Sequence, residues 1–321
     1  MKRYYTLKTT FTKNRLVQTM NHFYCKFSKY YISSSLAIVS MLACSFTAFA
    51  QTIPSNLEWK KLCDGIEHVH FTIQEPLLNV NVLRIDAANP SLTFHTTSPS
   101  KDWVSDENET DRRTLPDSAV EEDMVVAVNA NFYRPFNAQT RVSRGPADNL
   151  GLVVSNGVLV SPTIDGYPSF IQNKDRSVEI REVIKEDSLD KIQTAVSGRN
   201  FVLKDGECVS KEQEDSFAYL KNRHPRTVVG ISKDKKFVYL VTIDGRQPEF
   251  SVGTSILESG KILLQLGAYD AVNLDGGGST TMVYRDESGK TVVLNQPVGL
   301  GPANTLRHNS NALGVKFSEK K

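Results

Sequence analysis

Cysteine is scarce in this chain, with four thiols among 321 residues, at Cys25, Cys44, Cys63 and Cys208. None has CxxC spacing or a nearby set of ligands, which excludes a zinc ribbon and a dithiol redox motif. A long apolar run is also missing. The longest stretch, Leu36 to Phe49, is shorter than the ~20 residues needed to span a bilayer. The familiar catalytic signatures are absent as well. There is no GxSxG elbow, no HExxH, no Cys-His protease signature and no GxxxxGK[ST] phosphate loop. No internal repeat and no low-complexity linker interrupts the chain, and no basic patch with interleaved aromatics points to nucleic acid.

What is present begins with an asymmetry of charge. Residues 1–50 hold seven of the 38 basic side chains and none of the 36 acidic ones, so the remainder is mildly acidic, with 31 basic residues against 36 acidic. The basic stretch ends at Lys29, an apolar run follows, and Ala48-Phe49-Ala50 supplies an A-x-A cleavage pattern before Gln51. This arrangement is expected to be an export signal of bacterial type over residues 1–50, with Met20 as an alternative start. It implies a periplasmic or secreted product with no membrane span once the signal is removed. Leu42 occupies a position that lipoprotein sites give to a small residue, which argues against anchoring at Cys44. Beyond the leader, Cys63 and Cys208 either form one bridge closing a long loop or remain as two buried thiols.

Residues 51–65 read as a lead-in and 66–317 as one catalytic domain. Alternation from Ile66 to Ile73 predicts a strand, and His68 and His70 share one face of it as an ordinary polar pair. Pro116 to Glu122 reads as a short helix. Asn156-Gly157 between two valine-rich segments predicts a hairpin with a type I′ turn. Thr227–Ser232 and Phe237–Ile243 read as paired strands. Ser255 with Glu258 forms a capping box opening a helix that ends at Gly267. Residues 163–215 show no firm periodicity. Strands outnumber helices and tight hairpins recur, so the fold expected is α+β, a mixed and largely antiparallel sheet with packed helices.

The most unusual segment is Asn273-Leu274-Asp275-Gly276-Gly277-Gly278-Ser279-Thr280. Three glycines after a strand allow backbone conformations closed to other residues, and their N–H groups can line an anion-binding concavity. Asp275 is a fixed carboxylate beside it, and Ser279 and Thr280 add hydroxyls. Asp244-Gly245-Arg246 offers a second carboxylate and a guanidinium whose fork suits phosphate. Asn129 and Asn131 lie on one side of an extended segment, and Arg226 and Arg307 are further cationic candidates. His224 and His308 are read as structural.

These segments resemble the phosphodiester glycosidase family. The matching pieces are Val128-Asn129-Ala130-Asn131-Phe132, Gly151 with the Asn156-Gly157 hairpin, Arg226 to Gly230, Ile243 to Arg246, Ser251 and Gly253, Gly267 to Thr280, Asn295, and Arg307 to Leu313. The resemblance implies hydrolysis of a glycosyl-1-phosphodiester at the anomeric carbon. In that chemistry Asp275 would be the essential carboxylate and Asp244 the second. Arg226, Arg246, Arg307 and the Gly276–Gly278 amides would hold the phosphate, while Asn129, Asn131 and Asn273 would orient hydroxyls. No cofactor is indicated, and a divalent ion is compatible but not demanded. The partner expected is a phosphorylated carbohydrate. The competing reading is a non-catalytic envelope protein that binds phosphorylated glycans.

Overall fold

A strand whose every residue is buried needs apolar cover on both faces, and Arg226–Ser232 is such a strand. Val228 packs into one hydrophobic cluster and Val229 into another, on opposite faces of the same sheet. In this computed structural model, which describes residues 52–103 and 107–318, that sheet has eight strands. Their order is Lys60–Cys63, Ile66–Ile73, Leu78–Asp86, Phe237–Ile243, Arg226–Ser232, Ala268–Asn273, Asn200–Lys204 and Glu207–Cys208. Two five-stranded sheets and a small three-stranded one accompany it, and every pairing between named strands is antiparallel.

The larger core lies where one face of the long sheet meets the two five-stranded sheets. Leu83 and Val229 meet Phe170 and Val196 from one of them and Val126, Met282 and Leu313 from the other. The opposite face of the long sheet is covered by the helix Ile256–Leu266, through Ile256, Ile262, Leu263 and Leu266. That helix starts at the Ser255–Glu258 capping box and ends at Gly267 with φ +96°, as its sequence predicts. The remaining helices among the described residues span four to seven residues, so the described part is a mostly antiparallel β structure with one substantial helix. The expectation of several packed helices overstated their share.

Leu115–Glu121 forms the short helix, capped by the Thr114 side chain with Pro116 in its first turn. Asn156 and Gly157 take φ +51° and +77°, as a type I′ hairpin requires. His68 and His70 hydrogen-bond to Asn81 and Asn79 across the sheet, which confirms a structural pair. Residues 163–215 supply five strands and one short helix. Residues 51–321 form one compact unit, in which Ile53, Leu57 and Trp59 of the lead-in pack against the helix-covered core. Cys63 and Cys208 are both free and sit on the two outermost strands of the eight-stranded sheet. Seven inter-strand steps of ~4.8 Å separate those strands, far beyond disulfide reach. The proposed leader at 1–50 lies outside the described residues. No helix among the described residues is long and apolar enough to cross a membrane.

Candidate active site

The triglycine corner starts where the Ala268–Asn273 strand leaves the long sheet. The Leu274 N–H donates to the Thr227 carbonyl at 2.9 Å, and the Asp275 N–H donates to the Ala130 carbonyl at 2.8 Å. Asn129 completes the clamp: its Nδ2 donates to the Asp275 carbonyl at 2.5 Å, while its Oδ1 accepts from Thr227 Oγ1 and the Thr281 N–H. Asp275 is thus fixed between two sheets by its own backbone. Gly277–Ser279 follows as a 3₁₀ turn. Gly277 has φ +61°, and a Cβ on Gly278 would lie 2.3 Å from the Arg307 guanidinium. Both glycines are therefore required, one by conformation and one by close approach.

The three amides do not all face a ligand. The Gly277 N–H donates to the Pro225 carbonyl at 2.8 Å, and the Gly276 N–H is engaged by the Asp275 carboxyl. Only the Gly278 N–H has no partner among the described residues, so one amide remains where the sequence suggested three.

A cavity of about 500 Å³ opens over this corner. Asp275, Gly276, Gly277 and Gly278 form its floor with Asn273, and Arg226, Arg246 and Arg307 stand around them. Phe132, Tyr133, Phe136 and Leu150 make an apolar side, and Arg141, Arg199, Tyr219 and His224 complete the wall. Arg307 is buried, donates from Nε to the Gly299 carbonyl at 3.2 Å, and reaches Ser279 Oγ at 3.4 Å. Its guanidinium also lies over the Phe136 ring, 5.1 Å from the centroid. Arg226 is held by the carbonyls of Thr254, Tyr219 and Asn222. Arg246, at φ +60°, stands exposed beside Gly277 and His224.

Burial raises the Asp275 carboxyl to about 6, against the opposing pull of Ser279, Arg307, the Gly276 amide and Arg246. Burial and the neighbouring Arg246 lower Arg226 to about 10. Burial also lowers Arg246 and Arg307, and with the adjacent arginines it lowers His224. The cations are therefore crowded and partly dehydrated, an arrangement that an anionic ligand relieves. Asn273 lines the floor, and its Oδ1 is buried with no partner among the described residues.

The other expected site residues lie behind the wall. Asp244 is buried away from the cavity, and its carboxylate accepts from Asn295 Nδ2 at 2.9 Å and from the Gln296 N–H at 3.1 Å. It braces the segment after the Thr291–Val293 strand and does not line the cavity, where the sequence reading placed a second carboxylate. Asn131 is likewise enclosed, donating to the carbonyls of Leu150, Gly151 and Leu152 and accepting from the Ser197 N–H and Asn311 Nδ2. Asn129 and Asn131 thus position the wall and do not line it. Ser279 acts through Asp275 and Arg307, and Thr280 is buried outside the cavity. His224 joins the wall, whereas His308 supports it from behind through its backbone: its carbonyl accepts from the Tyr133 hydroxyl and its N–H donates to the Arg141 carbonyl at 3.0 Å. Asp275 is the one carboxylate among the lining residues, and no group of three His, Cys, Asp or Glu placed to hold a metal occurs among the described residues.

The model of the phosphodiester glycosidase family matches residues 122–316, which include the triglycine corner and all five arginines that line the cavity. The chain belongs to the phosphodiester glycosidase family. A mouse N-acetylglucosamine-1-phosphodiester alpha-N-acetylglucosaminidase is 30% identical over 188 residues, covering 54% of this chain and 34% of the mouse protein. The chain therefore spans about a third of the length of that relative. Among solved structures, the zebrafish catalytic domain of the same name, auto-inhibited by its pro-peptide, superimposes with a TM-score of 0.59 at 20% identity, covering 84% of this chain and 85% of that one. A hypothetical protein from Synechocystis gives 0.61 at 15% identity, over 83% and 64%. At these identities the two structures establish that the phosphodiester glycosidase fold is shared.

Arg141, Arg199, Tyr133, Phe136 and Tyr219 were not legible as site residues. Tyr133 and Phe136 follow Asn131 closely, which is a usable signal. Arg199 lies within the region 163–215 that lacks periodicity and Tyr219 just after it, and only the fold brings them to the corner.

Proposed function

We propose that this protein is an exported hydrolase that cleaves a glycosyl-1-phosphodiester at the anomeric carbon, releasing a reducing sugar and a phosphomonoester. The single observation carrying this reading is Asp275, the one carboxylate of a cavity lined by five arginines. The family membership supports it, the name of the mouse relative supports a sugar-1-phosphodiester substrate, and the leader pattern supports export.

A phosphodiester oxygen departs without protonation, so one carboxylate meets the need for a base and no separate acid is required. The phosphate sits against Arg246 and Arg307 beside the Gly278 N–H. Asp275 takes a proton from water, the water oxygen bonds to the anomeric carbon, and the bond from that carbon to the bridging oxygen breaks. The electron pair leaves on the phosphate, where the guanidiniums balance its charge. Asn273 Oδ1 accepts from a sugar hydroxyl or amide.

Hydrolysis of a panel of sugar-1-phosphodiesters in ¹⁸O-labelled water tests this reading. The label is expected in the sugar. Label in the phosphate would establish attack at phosphorus and overturn the glycosidase assignment.

A further inference from the structure

The charge in the cavity exceeds what one phosphodiester requires. Five guanidiniums line it, from Arg141, Arg199, Arg226, Arg246 and Arg307, against the one carboxylate of Asp275. A phosphodiester brings a single negative charge, which leaves the lining strongly cationic with substrate bound. Arg226 is committed to backbone carbonyls, and Arg246 and Arg307 stand at the glycine corner where the scissile phosphate belongs.

Two cations remain, and both are held without being neutralised. The Arg199 guanidinium lies over the Tyr219 ring, 4.6 Å from the centroid, and its side chain makes no hydrogen bond or ion pair among the described residues. Arg141 lies 5.7 Å from the Phe136 centroid, with only its Nε committed, to the Asn137 carbonyl at 3.2 Å. An arginine stacked on an aromatic face keeps the edge of its fork free for an anion while the ring fixes its direction. Among the described residues, no carboxylate lies within ion-pair distance of either. A cavity of about 500 Å³ also has room for more than a sugar and one phosphate.

Building on the hydrolase reading, we propose that the substrate is a glycosyl phosphodiester carrying a second anionic group, bound by Arg141 and Arg199. The second charge resides either on the aglycone, as a further phosphate, or on the sugar, as a carboxylate.

The test titrates the Asp275→Asn chain by calorimetry with three synthetic esters. The first is the methyl ester of N-acetylglucosamine-1-phosphate, with one charge. The second joins the same sugar phosphate to glycerol phosphate, and the third is the methyl ester of glucuronic acid-1-phosphate. One of the two doubly charged esters is expected to bind about tenfold tighter or more than the first, which identifies where the charge lies. That preference is expected to shrink as salt rises and to fall within about twofold in a chain that also carries Arg141→Gln and Arg199→Gln. Equal affinities, or a preference untouched by the double substitution, would overturn the proposal. Turnover by the unmodified chain separates the two claims. Hydrolysis of the methyl ester with no preference leaves the hydrolase reading standing and ends the dianion proposal, and a preference without turnover does the reverse. Binding of none of the three ends both.

Discussion

The Asp275 carboxyl is placed by backbone contacts from two sheets and surrounded by arginines that its own charge only partly offsets. Because burial raises it to about 6, where an ordinary aspartate sits at 3.8, it ionises over a range that kinetics can read. A base must be deprotonated, so kcat/KM is expected to climb about tenfold per pH unit below 6 and level off above it. Asp244 is also raised to about 6 by burial, so the two must be told apart. Asp244→Asn is expected to keep the acid limb, because that carboxylate faces Asn295 and Gln296. Disappearance of the limb in that variant would return Asp244 to the chemistry. The same shift has a sign for stability. Between pH 3.8 and about 6 the folded state holds the Asp275 proton that the unfolded chain has released, so folding weakens as pH rises through that window. Asp275→Asn is accordingly expected to melt a few degrees above the parent at pH 7.5, and a lower melting temperature would contradict the burial argument.

At the scale of elements, the corner works because a strand end, a 3₁₀ turn and a distant arginine pack with no room to spare. A Cβ on Gly278 would meet Arg307 Nη2 at 2.3 Å and the Gly299 carbonyl at 2.9 Å. Gly278→Ala is expected to displace that guanidinium and reduce kcat/KM by about a hundredfold, with circular dichroism unchanged. Normal kinetics would show that Arg307 is dispensable. Asn129 joins the Val126–Asn129 strand to the corner through three hydrogen bonds, so Asn129→Ala should destabilise the fold by about 2–3 kcal/mol in urea titrations. Local pattern made much of this readable. The hairpin at Asn156-Gly157, the capped helix and the glycine corner each follow from short-range chemistry. The roles of Asn129, Asn131 and Asp244 did not follow, because a polar side chain beside a reactive segment can serve as wall or as brace, and only long-range hydrogen bonding decides. Residues 163–215 were opaque for a related reason. Their five strands are short, and two of their five pairings reach partners outside the region, so burial and not local alternation sets their pattern.

At the scale of the molecule, no covalent staple contributes among the described residues. Cys63 and Cys208 stand on opposite edges of the eight-stranded sheet, and burial raises both thiols, which keeps them protonated and weakly reactive. Dithiothreitol is therefore expected to leave the melting temperature unchanged, and a drop of several degrees would require a bridge that this sheet order forbids. Among the described residues the sheets and the helix Ile256–Leu266 instead frame the cavity, and in the proposed mechanism its arginines bind an anion while its lone carboxylate activates water. A protein that only binds phosphorylated glycans would need the arginines and not the carboxylate. The decisive measurement is therefore Asp275→Asn assayed for turnover and for binding of the same glycosyl phosphodiester. The account predicts that kcat falls by about a thousandfold or more while the dissociation constant stays within about threefold; turnover close to that of the parent chain would contradict it.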